Sequence, residues 1–234
     1  STGKVRTGIG AARQDVNVSC RGGSRVEIKG VAHTKWIPQL THIECFRQWS
    51  LLLLRDKLCK SIPEHHAWKC SYVDLDYHDY RFSYLPLSQA RHTEQKIVAV
   101  NLPGFGQALS HFTQPGKMFA DELSDRLKVI ACLEKPNMVH TAQLNQVVVE
   151  KQWLAVQQLL GSSQDDAQLI IWGHADDIPT ALETIEERCL MAFKGIPTET
   201  RKSFEDGTTI FERVLPGADR MYPDTDSAPI PLKD

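Results

Sequence analysis

No run of apolar residues in this chain approaches the ~18 needed to cross a bilayer; the run Leu51 to Leu54 ends at Arg55-Asp56-Lys57. The opening Ser1-Thr-Gly-Lys-Val-Arg6 holds no apolar segment of signal-peptide type. The six cysteines (20, 45, 59, 70, 132, 189) include no C-x-x-C pair, and 234 residues suffice to bury a core without bridges. Free, buried thiols in a reducing cytoplasm are therefore expected. Net charge is nearly absent: 27 Lys+Arg against 29 Asp+Glu leave −2, which excludes a polybasic nucleic-acid coat but not a local patch. The runs G-x-x-x-x-G-K-[ST], G-x-S-x-G and H-E-x-x-H are missing, so no phosphate loop, nucleophile elbow or helical zinc pair is written in the chain. What remains is 41% hydrophobic and 24% charged, the profile of a soluble globular protein of one or two domains.

Ala12 to Cys20 alternates polar and apolar, and Arg25-Val-Glu-Ile-Lys29 alternates again after Gly22-Gly23. Two period-two runs around a Gly-Gly turn predict a hairpin. Residues 37–58 follow a helical period, with Leu40, Ile43, Leu51, Leu54 and Leu58 on one stripe. Arg47 lies within that stripe, where an arginine is expected to lay its stem along the packed face and its head at the edge. Residues 60–95 show no clear period and read as a connector with, at most, a short strand. Strands are expected at 97–102, 129–133, 169–172 and 208–215, and helices at 146–160, capped by Asn145, and from Asp177 to Gly195. The β…β-α-β-α order between 97 and 195 describes an α+β unit of roughly 100 residues.

The hairpin carries the candidate chemistry. Side chains alternate between strand faces, so Arg13, Asp15, Asn17 and Ser19 project together, as do Arg25, Glu27 and Lys29. Such a face is either a solvated surface with cross-strand ion pairs or a floor for a metal–phosphate ligand, with carboxylates for Mg²⁺ and Arg and Lys for phosphate oxygens. Spacing does not choose between them. Gly8-Ile-Gly10 and Gly104-Phe-Gly106 lack the third glycine of a nucleotide loop and read as turns. His65, His66, His78 and Asp79 form a loose group, without the ligand spacing of a zinc site. Arg220-Met-Tyr-Pro-Asp-Thr-Asp226 reads on its own as a Pro-terminated turn.

The run Arg13-Gln-Asp-Val-Asn-Val-Ser19, then Gly22-Gly-Ser-Arg-Val-Glu-Ile-Lys-Gly-Val31, resembles the cradle domain of the archaeal-type GatE component of glutamyl-tRNA(Gln) amidotransferase, of the GatB/GatE family. The closing Leu215-Pro-Gly-Ala-Asp-Arg-Met-Tyr-Pro-Asp-Thr-Asp226 resembles it too. Between them, Leu102-Pro-Gly-Phe, Pro115-Gly-Lys-Met-Phe, Glu122-Leu-Ser-Asp-Arg-Leu-Lys-Val and Ile196-Pro-Thr-Glu-Thr-Arg resemble the GAD domain. The resemblance implies an α+β fold: a mixed or antiparallel cradle (1–62 and 206–234), a connector (63–95) and a GAD-like insertion (96–205). It implies a ligase subunit that uses ATP and Mg²⁺ to phosphorylate the misacylated glutamate of Glu-tRNA(Gln). Ammonia then arrives from an amidase or asparaginase-like subunit, with no membrane involved. By matched position, Asp15, Asn17, Glu27 and Lys29 would be catalytic, with Asp15 and Glu27 near the metal. Arg13, Arg25 and Arg220 would hold phosphate, and Tyr222, Asp224 and Asp226 would close the site. The family's metal-binding His and Glu are expected upstream and its tRNA-gripping domains downstream, so a fragment, inactive by itself, is expected. His140-Thr-Ala-Gln-Leu-Asn145 lacks the acids of the corresponding GAD run. The rival reading is a non-catalytic tRNA- or protein-binding GAD module with a decayed kinase site. The residues leave open whether Glu-tRNA(Gln) or Asp-tRNA(Asn) is the substrate.

Overall fold

Alternation on either side of a glycine turn does build a hairpin. A computed structural model of the chain, which describes Gly3 and residues 14–76 and 80–215, pairs β1 (Val16–Val18) antiparallel with β2 (Val26–Lys29). Val16 faces Ile28, Asn17 faces Glu27 and Val18 faces Val26. Gly22 turns the chain at φ +84°, a value open to glycine at no steric cost. Val18, Val26 and Ile28 are buried on the face that meets α1 (Ile37–Ser61). The predicted stripe of α1, from Leu40 to Leu58, is buried along its length. Arg47 departs from expectation: its head is not at an edge but fully buried, beside Glu44 and Gln48. Carboxylates supplied from other elements replace the water it would otherwise seek.

The connector contains β3 (Ser71–Asp74) and α2 (Leu85–His92). Then come β4 (Lys96–Leu102), β5 (Phe112–Gln114), β6 (Lys117–Met118), α3 (Phe119–Ile130), β7 (Met138–His140) and α4 (Glu150–Leu160). The last elements are β8 (Ala167–Gly173), α5 (Ile178–Lys194), β9 (Glu199–Ser203) and β10 (Thr209–Val214). One sheet runs β3-β4-β8-β7, all antiparallel. Its central strands are apolar on both faces because both are covered. Val98, Val100, Leu169 and Ile171 pack with Leu123 of α3 and Ile185 of α5, while Ala99, Ile170 and Trp172 pack with Leu87 of α2 and Trp153 of α4. The second sheet runs β1-β2-β9-β10, and β5 and β6 form a small ribbon.

Two predicted elements are displaced. Val129 and Ile130 end α3 rather than start a strand, and both are partly exposed there. Phe119, Leu123 and Leu127 recur at helical spacing, and the Asp121 carboxylate accepts the Met118 N–H at 2.7 Å, so packing and a cap override the β-branched pair. Helix α4 starts at Glu150, not 146, and Asn145 caps nothing. Gln146 instead donates to the Thr141 and Gln143 carbonyls, which ties together the turn before the helix.

The architecture is α+β. The expected boundary at 205/206 falls in the turn between β9 and β10, which pair with each other. Val26, Leu51 and Leu54 share one apolar core with Val100, Phe119 and Ile185. The six cysteines are free, though Cys189 alone is fully buried and Cys132 is exposed. No helix among the described residues is long and apolar enough to cross a membrane.

Candidate functional site

Because Val26 and Ile28 turn inward, Glu27 and Lys29 turn outward. The Lys29 ammonium donates to Asp15 Oδ2 at 2.9 Å and to Glu27 Oε1 at 3.0 Å, bridging the two carboxylates. Those bonds, first to Asp15 and then to Glu27, hold the Lys29 pKa above its ordinary value. Asn17 stands exposed in register with Glu27, and Arg25 is exposed at the entry to β2. The structure thus brings Asp15, Asn17, Glu27 and Lys29 together on one face. Arg13, Arg220, Tyr222, Asp224 and Asp226 lie outside the described residues.

Sequence reasoning missed what lies beside this hairpin. β2 pairs in parallel with β9, setting Glu27 against Thr200, Ile28 against Arg201 and Lys29 against Lys202. β10 continues the face, with Arg213 opposite Thr200 and Ile210 opposite Lys202, after a bulge at Glu212. One row therefore reads Asn17, Glu27, Thr200, Arg213 across four strands. The Thr200 hydroxyl donates to Glu212 Oε2 at 3.4 Å, and the Ser203 hydroxyl donates to the Gly30 carbonyl at 3.2 Å, tying the end of β2 to β9. The only local hint was the alternation of Glu199-Thr-Arg-Lys-Ser203; nothing in the sequence announces the partner strand.

Directly behind this sheet lies a buried ionic cluster. Arg47 of α1 donates to Glu122 Oε1 (2.6 Å), Glu44 Oε1 (3.0 Å) and Glu199 Oε1 (2.6 Å). Arg126 and Arg201 donate to Glu199, and Arg188 to Glu122, each at 2.5 Å. The Arg126 guanidinium lies 4.2 Å over the Phe211 ring and that of Arg188 4.5 Å over Phe119. Burial opposes the charge of Glu122, yet Arg47, Arg188 and Arg201 hold its carboxyl well below the usual range. Glu199 is likewise lowered against burial by Arg47, Arg201 and Arg126. Glu44 is the exception: burial pushes its carboxyl up, and Arg47 does not fully offset it. The cluster joins α1, α3 and α5 to β9, and so fixes the strand that positions β2.

The sequence profile of the GatB/GatE catalytic domain matches residues 1–234. This chain belongs to the GatB/GatE catalytic-domain family. It is 36% identical over 234 residues to the E subunit of glutamyl-tRNA(Gln) amidotransferase from Methanocaldococcus jannaschii, covering 100% of this chain and 36% of that protein. To the counterpart from Methanopyrus kandleri it is 36% identical over 98% of this chain and 36% of the relative, and to that from Pyrococcus abyssi 34% identical over 100% and 36%. The chain spans about a third of the length of these relatives.

Other motifs of this GatB/GatE-family chain have structural explanations. Gly104 and Gly106 form a packed turn: the Gly104 N–H donates to Asp166 Oδ1, and the Gly106 N–H to the Asp165 carbonyl at 2.8 Å. Gly8 and Gly10 lie outside the described residues, as do His78 and Asp79. The His65 ring stacks on Phe193 with centroids 5.0 Å apart, and His66 lies against it. No group of three or more His, Cys, Asp or Glu among the described residues is arranged to hold a metal.

Proposed function

We propose that this chain is the catalytic-domain portion of a tRNA-dependent amidotransferase subunit that converts Glu-tRNA(Gln) to Gln-tRNA(Gln). The observation that carries the reading is the solvent-facing Asp15–Lys29–Glu27 bridge, with Asn17 in register, within a chain of the GatB/GatE family. The reading takes the GAD-like runs with the rest of the chain, since the family match spans residues 1–234. It implies a cytoplasmic setting and an ammonia-producing partner of amidase or asparaginase type.

A carboxylate is a poor acyl electrophile. In the proposed reaction a γ-carboxylate oxygen of the esterified glutamate attacks the terminal phosphorus of ATP, and ADP leaves. Ammonia then attacks the acyl phosphate carbon, and inorganic phosphate leaves. Asp15 and Glu27 each keep one carboxylate oxygen without a hydrogen bond among the described residues, and Asn17 adds an amide oxygen nearby. Such an oxygen donor set fits Mg²⁺, which takes one or two carboxylates and keeps its remaining positions for water and phosphate. Bound Mg²⁺ would neutralise charge on the polyphosphate. Lys29 has two roles here: it holds both carboxylates in place, and its ammonium offers a cation to phosphate oxygens.

The test is ATP-dependent Gln-tRNA(Gln) formation by the full-length subunit with its partner. Asp15→Ala and Glu27→Ala should each lower the rate by a factor on the order of 10² or more, the scale of removing one preorganised electrostatic group. Full activity in both variants would overturn the assignment.

A further inference from the structure

The outer face of the β1-β2-β9-β10 sheet carries more positive charge than its hairpin alone. Lys202 stands beside Lys29 in the parallel ladder, and Arg213 stands beside Thr200 in the row that contains Glu27. Both are exposed, and neither has a carboxylate at ion-pair distance among the described residues, whereas Lys29 is held by two. Arg25 is exposed on the same face, also without such a partner among the described residues. Like charges directly opposite each other on a sheet are destabilising; Asp15 and Glu27 answer the charge of Lys29, which leaves the Lys202 ammonium as the cation of this pair open to an incoming anion. Neighbouring strands lie about 4.8 Å apart, so long side chains from β2, β9 and β10 can reach one extended polyanion. On the interior side of the same strands, Arg201 is fully occupied by Glu199 and Thr209, which keeps β9 from rotating its outward residues away.

We propose that Lys202 and Arg213 are phosphate-contacting residues of this face and take the polyphosphate of a nucleoside triphosphate alongside the Asp15–Lys29–Glu27 bridge. The inference rests on the function proposed above and adds to it a second cationic wall, supplied by β9 and β10. Thr200, buried between Glu27 and Arg213, holds the Glu212 carboxylate, so the triphosphate would lie over the exposed Lys202 and Arg213 heads beside the Asp15–Lys29–Glu27 bridge.

The experiment measures binding of Mg·ATP and, separately, of tRNA(Gln) to the full-length subunit in its complex, for the wild type and for Lys202→Ala, Arg213→Ala, Lys202→Arg and the surface control Lys128→Ala. A hydrogen bond to a charged group is worth enough for each alanine variant to weaken ATP binding about tenfold or more, with tRNA affinity unchanged. Lys202→Arg should keep most of the affinity, and Lys128→Ala all of it. Melting temperatures close to wild type confirm that the variants are folded; should Lys202→Ala misfold, Lys202→Gln replaces it. Unchanged ATP affinity in both alanine variants would overturn the inference while leaving the amidotransferase reading intact. Loss of tRNA affinity alone would overturn it in favour of an RNA-backbone contact. Failure of the wild type to bind ATP would sink both.

Discussion

Replacing Arg47 with leucine removes a partner from three buried carboxylates and strands one of them. The guanidinium is fully buried and donates to Glu122, Glu44 and Glu199 at 2.6, 3.0 and 2.6 Å. Leucine keeps an apolar side chain against the core of α1. Without Arg47, Glu122 retains Arg188, and Glu199 retains Arg126 and Arg201. Among the described residues Glu44 retains one hydrogen-bond donor, the Gln48 amide at 3.1 Å, with the Arg201 charge acting on it without a hydrogen bond. Charge-assisted bonds contribute about 1.5–3 kcal/mol each, but the three do not add, because two carboxylates keep other arginines. The third, already pushed up by burial, takes a proton instead. Breaking a buried ion pair by removing one partner costs about 3–5 kcal/mol, and Arg47→Leu belongs in that range. For a chain of this size that lowers Tm by roughly 6–20 °C. Urea unfolding at pH 7 should show a lower midpoint at unchanged slope. The double variant Arg47→Leu/Glu44→Leu should recover part of the loss, since it removes the stranded carboxylate. A single-variant loss below about 1 kcal/mol, or a double variant no more stable than the single, would refute the cluster's role.

Other outcomes follow from the same contacts. Glu44 has a raised folded pKa, so its contribution favours folding below the ordinary carboxylate range and is lost as pH rises through the raised value. Glu44→Gln should therefore flatten the stability profile between the ordinary carboxylate pKa and neutrality, and a profile identical to wild type would contradict this. Glu122 and Glu199 are depressed, so their contribution is present above the unfolded pKa and disappears as pH falls through the folded values; acid titration of the Glu44→Gln variant isolates that limb. Burial lowers the His140 imidazole to about 4, and a ¹H–¹⁵N titration should show it neutral at pH 6. Gly106→Ala places a Cβ 2.8 Å from the Asp165 carbonyl oxygen, a backbone atom, and should destabilise by about 1–3 kcal/mol in the same unfolding assay.

Local periodicity made the hairpin, α1, β4, β8 and α5 readable, because each buries a face through spacing visible within a few residues. The displaced elements share a cause. Val129 and Ile130 look like a strand in isolation, but Phe119, Leu123 and Leu127 had already committed the segment to a helix packed on the sheet. Arg47 was misplaced because its three acceptors come from α1, α3 and β9, and no window of sequence contains them. The polar face was legible as far as Asp15, Asn17, Glu27 and Lys29. Its other half, Thr200, Lys202 and Arg213, was hidden, since strand register between distant segments leaves no local mark.

The parallel pairing of Glu27 with Thr200 joins positions 173 residues apart. Ribosomal synthesis at about 5–20 residues per second makes that a wait of roughly 9–35 s between the two strands. Until then β2 has an unpaired edge, of the kind that recruits foreign strands. The hairpin's charged outer face is therefore also what guards it while the chain is incomplete. The late closure of so long a loop makes assembly of this sheet a slow step in folding. A nascent chain that stops short of β9 carries the acids of the hairpin without the strand that pairs with β2.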